Sequence, residues 1–137
     1  MVLKCAIFVS ETVVMTKEKK VILLVDQSPV VLERMIPLLE ALPNIEFVIH
    51  AGTYKEAMGV LGGMKPNMVL MDIDLPDGSG IELLRIVRER FENVIVFITT
   101  NFASEQYRAL CQRLGARQFF DKSGDYEDIT EAVAGAS

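Results

Sequence analysis

Four apolar stretches of this chain end on side chains able to hold a cation or a phosphoryl group. Val21–Val25 runs into Asp26 and Gln27, and Met68–Met71 into Asp72, with Asp74 two positions on. Val94–Ile98 ends at Thr99, and the run around Gln118–Phe120 ends at Asp121 and Lys122. A single acid at a strand end needs only water. Converging acids need more, because two carboxylates about 4 Å apart repel by roughly 4 kcal/mol at an effective dielectric of about 20. Such a cluster persists when a cation balances it or when one member keeps its proton. With all-oxygen donors and no His or Cys nearby, a hard ion such as Mg2+ is favoured. A lysine and a threonine hydroxyl at the rim suit a second ligand that is anionic and tetrahedral. Lys122 supplies the charge and Thr99 a hydrogen bond, which together describe phosphoryl transfer to a carboxylate.

That chemistry requires a scaffold that brings distant strand ends together. Five apolar runs, Val21–Val25, Ile45–Ile49, Met68–Met71, Val94–Ile98 and Gln118–Phe120, alternate with five stretches of helical period. Continuous apolar runs suit strands buried on both faces. The strict alternation predicts an α/β fold, a doubly wound (βα)5 unit with a five-stranded parallel sheet. Ligands of such sheets sit outside the carboxyl ends of the strands. Asp26, Asp72, Thr99 and Lys122 then face one another across one crevice.

The helix signals agree. Ser28 before Pro29 reads as an N-cap with proline at the first helical position. Thr53-x-x-Glu56 and Ser79-x-x-Glu82 read as capping boxes. The spacing places Val31, Met35, Leu38 and Leu42 on one buried face, and Tyr107, Leu110, Cys111 and Leu114 on another that stops at Gly115. Tyr126, Ile129 and Val133 mark a short last helix. Pro37 conflicts with its helix, at a cost of about 3 kcal/mol, and predicts a kink near Glu33–Met35.

A chain of 137 residues, half of them hydrophobic and 24% charged, suits one soluble domain with a single core. No apolar run reaches the roughly eighteen residues of a membrane span. The net charge of -5, from 19 acidic and 14 basic residues, offers no basic stripe for nucleic acid. Cys5 and Cys111 have no metal-ligand spacing, and a reduced cytoplasmic compartment follows; Cys111 belongs to a core. The basic cluster Lys17–Lys20 reads as a solvated edge. His50 has no metal partner in sequence and reads as an edge residue. Residues 1–18 lie outside the alternation, as an upstream extension before Met15 or an arm that pairs with a sheet edge or another subunit.

Four segments, "LLVDQS", "VLMDIDLPDGSGIELL", "VIVFITT" and "FFDKS", follow one another at βα spacing. In that order the chain resembles the receiver domain of two-component response regulators, over roughly residues 19–134. The resemblance implies a flavodoxin-like strand order, 2-1-3-4-5. It implies that Asp72 is the phosphoacceptor, charged by a histidine kinase, a phosphotransfer protein or a small phosphodonor. Thr99 and Lys122 would bind the phosphoryl oxygens. Thr99 and Phe119 would form the switch, with Phe119 turning inward as Thr99 moves. Asp26, Asp72 and the backbone carbonyl of Asp74 would hold Mg2+.

One position departs from the family. A second acid usually follows the first strand, and this chain has Gln27, which keeps a carbonyl oxygen without the charge. Weakened Mg2+ affinity is expected. The side chains of Asp74 and Asn101 would influence hydrolysis of the acyl phosphate. The expected partners are the phosphodonor and an output protein, with a second copy of the chain as a further candidate, and with no nucleic acid and no membrane. No output domain is expected after "DYEDITEAVAGAS", and no catalysis beyond the chain's own phosphorylation and dephosphorylation.

Two other classes compete. A haloacid-dehalogenase-type phosphatase also uses Asp-x-Asp, but "DID" at 72–74 lies on the third strand and Pro76 stands where that family has Thr or Val. A degenerate receiver that signals without phosphorylation draws support from Gln27. Keeping Asp72, Thr99 and Lys122 together weighs against it.

Overall fold

The computed structural model describes residues 7–9, 12–14, 19–101, 104–124 and 126–136. Two short strands, β1 (Ile7–Val9) and β2 (Thr12–Val14), pair with each other antiparallel. The central sheet consists of β3 (Lys20–Val25), β4 (Ile45–Ala51), β5 (Met68–Asp72), β8 (Ile95–Thr100) and β9 (Gln118–Asp121). Its order is β4-β3-β5-β8-β9, with every pairing parallel. Counted along the parallel strands this is 2-1-3-4-5, the order expected. A two-residue pair, β6 (Asp74–Leu75) and β7 (Gly78–Ser79), forms a small hairpin after β5. The helices are α1 (Pro29–Glu40), α2 (Tyr54–Gly63), α3 (Gly80–Arg90), α4 (Glu105–Arg113) and α5 (Tyr126–Gly135).

Strand alternation splits the interior into two layers. Ile22, Leu24, Met68, Leu70 and Phe97 face Met35 and Leu39 of α1 and Ile129 and Val133 of α5. Leu23, Val25, Val69, Met71, Val96 and Ile98 face α2, α3 and Cys111 of α4. Each such side chain contributes roughly 1.5–3 kcal/mol on leaving water. All five residues of β5 are buried, as its unbroken apolar run predicts. The run at Ile45–Ile49 differs. β4 is an edge strand with Glu46 exposed and Phe47 45% exposed, so its apolar run is not buried on both faces.

Caps fix where the helices begin. The Ser28 hydroxyl accepts from the Val31 N–H, Thr53 from Glu56, Ser79 from Ile81 and Ser104 from Tyr107. The Glu56 carboxylate reaches back to the Gly52 N–H at 2.7 Å. Two helix faces depart from the expected spacing. Leu38 is 43% exposed while Leu39 is fully buried, because the α1 stripe runs through positions 31, 35, 39 and 42. Tyr107 is 44% exposed, so the buried face of α4 begins only at Leu110 and Cys111. Pro37 is exposed, and α1 continues through it to Glu40 without interruption. His50 lies exposed on β4, as expected. Cys5, Lys17 and Glu18 lie outside the described residues.

The start of α3 passes very close to the end of β5. A Cβ on Gly80 would lie 2.7 Å from the Ile73 Cα, and closer still to the Asp72 carbonyl oxygen. Both obstacles are backbone and cannot swing aside. We expect Gly80→Ala to destabilise the fold by about 1–3 kcal/mol, the usual cost of overpacking. Gly62→Ala in α2, where a Cβ meets nothing within 4 Å, should instead gain roughly 0.5–1 kcal/mol. Urea unfolding of both variants checks the contrast, and equal effects would contradict it.

Candidate phosphoacceptor site

Register brings the polar residues to one edge. Val25 pairs with Met71, so the next residues, Asp26 and Asp72, emerge side by side. Asp72 pairs with Thr99 on the neighbouring strand. β9 ends at Asp121 opposite Thr100, and the Lys122 N–H donates to the Thr100 carbonyl at 2.8 Å. This backbone bond turns the lysine over the carboxyl ends of the central strands.

Lys122 Nζ lies 2.6 Å from Asp26 Oδ2 and 2.7 Å from Asp72 Oδ2, and all three residues are buried. The remaining oxygens are also engaged. Asp26 Oδ1 accepts from the Ser28 N–H at 2.8 Å, and Asp72 Oδ1 from the Asp74 N–H at 3.1 Å. One ammonium between two carboxylates leaves a net negative charge in a site shielded from water. Burial therefore pushes the Asp72 carboxyl above its ordinary value, against the hydrogen bond and charge of Lys122. Burial alone would lower the Lys122 ammonium, but its bonds to Asp26 and Asp72 prevail and hold it above the usual lysine value. The lysine stays charged because both acids need it.

Thr99 is buried beside this group and lines a small cavity with Asp26 and Lys122. Its hydroxyl donates to the Met71 carbonyl at 3.4 Å, so it is turned to the backbone. Gln27 and Asp74 are exposed, and the Gln27 amide donates to the Asp74 carbonyl at 3.5 Å. Asn101 is exposed just past the end of β8. Phe119 is 5% exposed and packs in the layer that holds Ile98, so its ring is already inward in this packing.

The donor set can be tested against a hard divalent cation. Asp26 and Asp72 carboxylates with the Asp74 carbonyl offer oxygen only, and the site carries uncompensated negative charge, which fits such an ion. Among the described residues no cluster of three or more His, Cys, Asp or Glu side chains is suited to a metal. The Asp74 carbonyl, which would complete such a set, accepts the Gln27 amide.

Two contributors escaped the sequence reading. Asp77, in the turn between β6 and β7, accepts from the Tyr54 N–H at 2.6 Å and the Lys55 N–H at 3.0 Å. Desolvation acts to raise its carboxyl, but these backbone bonds together prevail and hold it below the ordinary value. It pins the loop after Asp72 to the start of α2. The "PDG" sequence announces a turn, but nothing in it names the helix that the carboxylate caps. Arg108 of α4 sits with its guanidinium 4.9 Å from the Phe119 ring centroid, and donates to the Phe119 carbonyl at 3.2 Å.

Removing the lysine charge tests the electrostatic reading. In Lys122→Met the Asp72 carboxyl should titrate higher than in the parent, since the bond and charge opposing burial are gone. A raised carboxyl value means that the folded chain keeps a proton that the unfolded chain has lost. The penalty from Asp72 is thus absent below the ordinary value of 3.8, grows as pH rises from there, and is complete above the folded value. The variant should accordingly lose stability relative to the parent as pH rises from the acid side. Carboxyl 13C titration with parallel unfolding curves measures both, and an unchanged Asp72 titration would contradict the bridge.

Comparison with known proteins agrees with the geometry. The family profile of the response regulator receiver domain matches residues 22–134. The chain is 35% identical over 112 residues to the DNA-binding transcriptional activator DevR/DosR of Mycobacterium tuberculosis, covering 82% of this chain and 52% of that protein. It is 33% identical over 117 residues to a protein-glutamate methylesterase/protein-glutamine glutaminase of Methanospirillum hungatei JF-1, covering 82% and 33% of the two chains. The chain thus spans about half the length, or less, of these relatives. A CheY-like receiver domain protein from the same archaeon has a similar structure, with a TM-score of 0.77, 27% identity and coverage of 85% and 91%. A LuxR-family response regulator from Aurantimonas sp. SI85-9A1 gives a TM-score of 0.76 at 28% identity, covering 85% and 83%. Together with the parallel sheet, this shows that the chain belongs to the receiver domains of two-component response regulators.

Proposed function

We propose that Asp72 accepts a phosphoryl group and that the chain passes the signal on by protein–protein contact. The observation that carries this reading is the single Lys122 ammonium held between Asp26 and Asp72. The acceptor is buried, oriented by the Asp74 N–H, and next to a cation able to follow the incoming charge. A carboxylate oxygen of Asp72 attacks phosphorus; its bond to the donor breaks, and the leaving group departs with that electron pair. Lys122 then exchanges the Asp72 oxygen for a phosphoryl oxygen while keeping Asp26. Thr99 turns its hydroxyl from the Met71 carbonyl toward the phosphoryl group. Asp26, Asp72 and the Asp74 carbonyl would hold Mg2+, which when bound offsets charge on the phosphoryl oxygens.

The phosphodonor is a histidine kinase, a phosphotransfer protein or a small acyl phosphate. We assign residues 19–137 to the receiver and 1–18 to an extension. Among the described residues no helix is long and apolar enough to cross a membrane, and we place the chain in the cytoplasm with its donors. The acidic balance gives this segment no electrostatic footprint for nucleic acid. We ascribe no turnover of an external substrate to it.

Incubation with acetyl phosphate and Mg2+ should add the mass of one phosphoryl group to the chain and none to Asp72→Asn. Equal labelling of the variant would overturn the assignment. Restoring an acid after β3, Gln27→Asp, should tighten Mg2+ binding on the order of tenfold, because it adds ligand charge and removes the amide from the Asp74 carbonyl. Equal affinities in a Mg2+ titration would take Gln27 out of the account.

A further inference from the structure

The first three N–H groups of α2 are bonded from two directions. The Glu56 N–H donates to the Thr53 hydroxyl, the helix's own cap, at 3.0 Å. Those of Tyr54 and Lys55 donate to the two oxygens of one carboxylate, Asp77, which lies 23 and 22 residues further along the chain. The positive end of the helix dipole favours a carboxylate there as well. Packing reinforces the tie. A Cβ on Gly78 would lie 2.9 Å from Tyr54 Cγ, so the Tyr54 side chain rests directly on the Gly78 backbone.

Asp77 belongs to a short, braced hairpin. Asp74 pairs with Ser79 and Leu75 with Gly78, which leaves Pro76 and Asp77 as the turn between them. Leu75 is buried, the Asp74 N–H donates to Asp72 Oδ1, and the Ser79 hydroxyl caps α3. The Asp74 carbonyl stands at one end of this unit and the carboxylate on α2 at the other.

We infer that Asp77 is a positioning residue for cation binding: its tie to α2 holds the Asp74 carbonyl in place for an ion on Asp26 and Asp72. This rests on the proposed phosphoacceptor site, in which that carbonyl is the third oxygen. The Asp26 and Asp72 carboxylates are buried and bonded by Lys122, whereas Asp74 is exposed on the loop. The carbonyl therefore sits where the hairpin's anchors put it. Coupling between two sites is reciprocal, so whatever the tie adds to Mg2+ binding, Mg2+ adds to the tie.

The test measures Mg2+ affinity and amide exchange in the full chain for the parent, Asp77→Asn, Asp77→Ala and Thr53→Ala. Thr53→Ala removes a cap of the same helix but keeps the carboxylate, so it reports what loosening α2 does by itself. Asp77→Ala should weaken Mg2+ binding roughly threefold. Asp77→Asn, which keeps one acceptor oxygen, should fall between it and the parent, and Thr53→Ala should bind as the parent does. Saturating Mg2+ should slow exchange of the Tyr54 and Lys55 amides in the parent by a similar factor, and leave them unchanged in Asp77→Ala. Unchanged affinity in Asp77→Ala, equal weakening in Thr53→Ala, or parent amides indifferent to Mg2+ would each overturn the inference. Failure of the parent to gain mass with acetyl phosphate would instead overturn the Asp72 reading, while the affinity series would still decide the role of Asp77.

Discussion

Two carboxylates and one ammonium, packed where water is largely excluded, set the terms for the rest of this molecule. Lys122 holds its charge at that depth because two carboxylates bond it, and its bond and charge oppose the burial that raises the Asp72 carboxyl. The arrangement is balanced only in part. Its residual negative charge makes an incoming cation favourable. A buried ion pair of this kind is a poor way to gain stability. Its presence in this form is better understood as readiness for a ligand that brings both charge and geometry.

The sheet order supplies that readiness. β3 and β5 are neighbours whose chains leave in opposite directions, so the carboxyl edge between them opens where the order reverses. Asp26 and Asp72 emerge from these two strands, while β8 and β9 bring Thr99 and Lys122 from one side. The loop after Asp72 is held at two points, by the Asp77 carboxylate on the α2 N-terminus and by the Gln27 amide on the Asp74 carbonyl. Close backbone packing at Gly80 sets where that loop ends. Arg108, over the Phe119 ring and on its carbonyl, joins α4 to β9 directly.

Much of this could be read from the residues alone. Apolar runs alternating with capped helices specify a parallel sheet, and the carboxyl-end rule gathers Asp26, Asp72, Thr99 and Lys122. Ser28, Thr53 and Ser79 cap where their spacing placed them. The misreadings have physical causes. Leu38 and Leu39 are adjacent leucines, and a helical period of 3.6 does not choose between three-residue and four-residue steps until the sheet is present. Tyr107 is amphipathic and sits at the exposed start of its helix. The edge position of β4 is a property of strand order, invisible in an apolar run. Asp77 and Arg108 act through partners 23 and 11 residues away, on elements that only tertiary packing brings alongside. The orientation of the Gln27 amide likewise depends on a loop 47 residues on.

On the proposed mechanism Asp72, and no other acid of the cluster, carries the phosphoryl group. An aspartyl phosphate is an acyl phosphate, which borohydride reduces to the alcohol, leaving homoserine in place of aspartate. Peptide mapping after acetyl phosphate treatment and borohydride reduction therefore reads the acceptor directly. Homoserine is expected at position 72, with Asp26, Asp74 and Asp121 intact. Homoserine at any of those three positions, or at none, would contradict it.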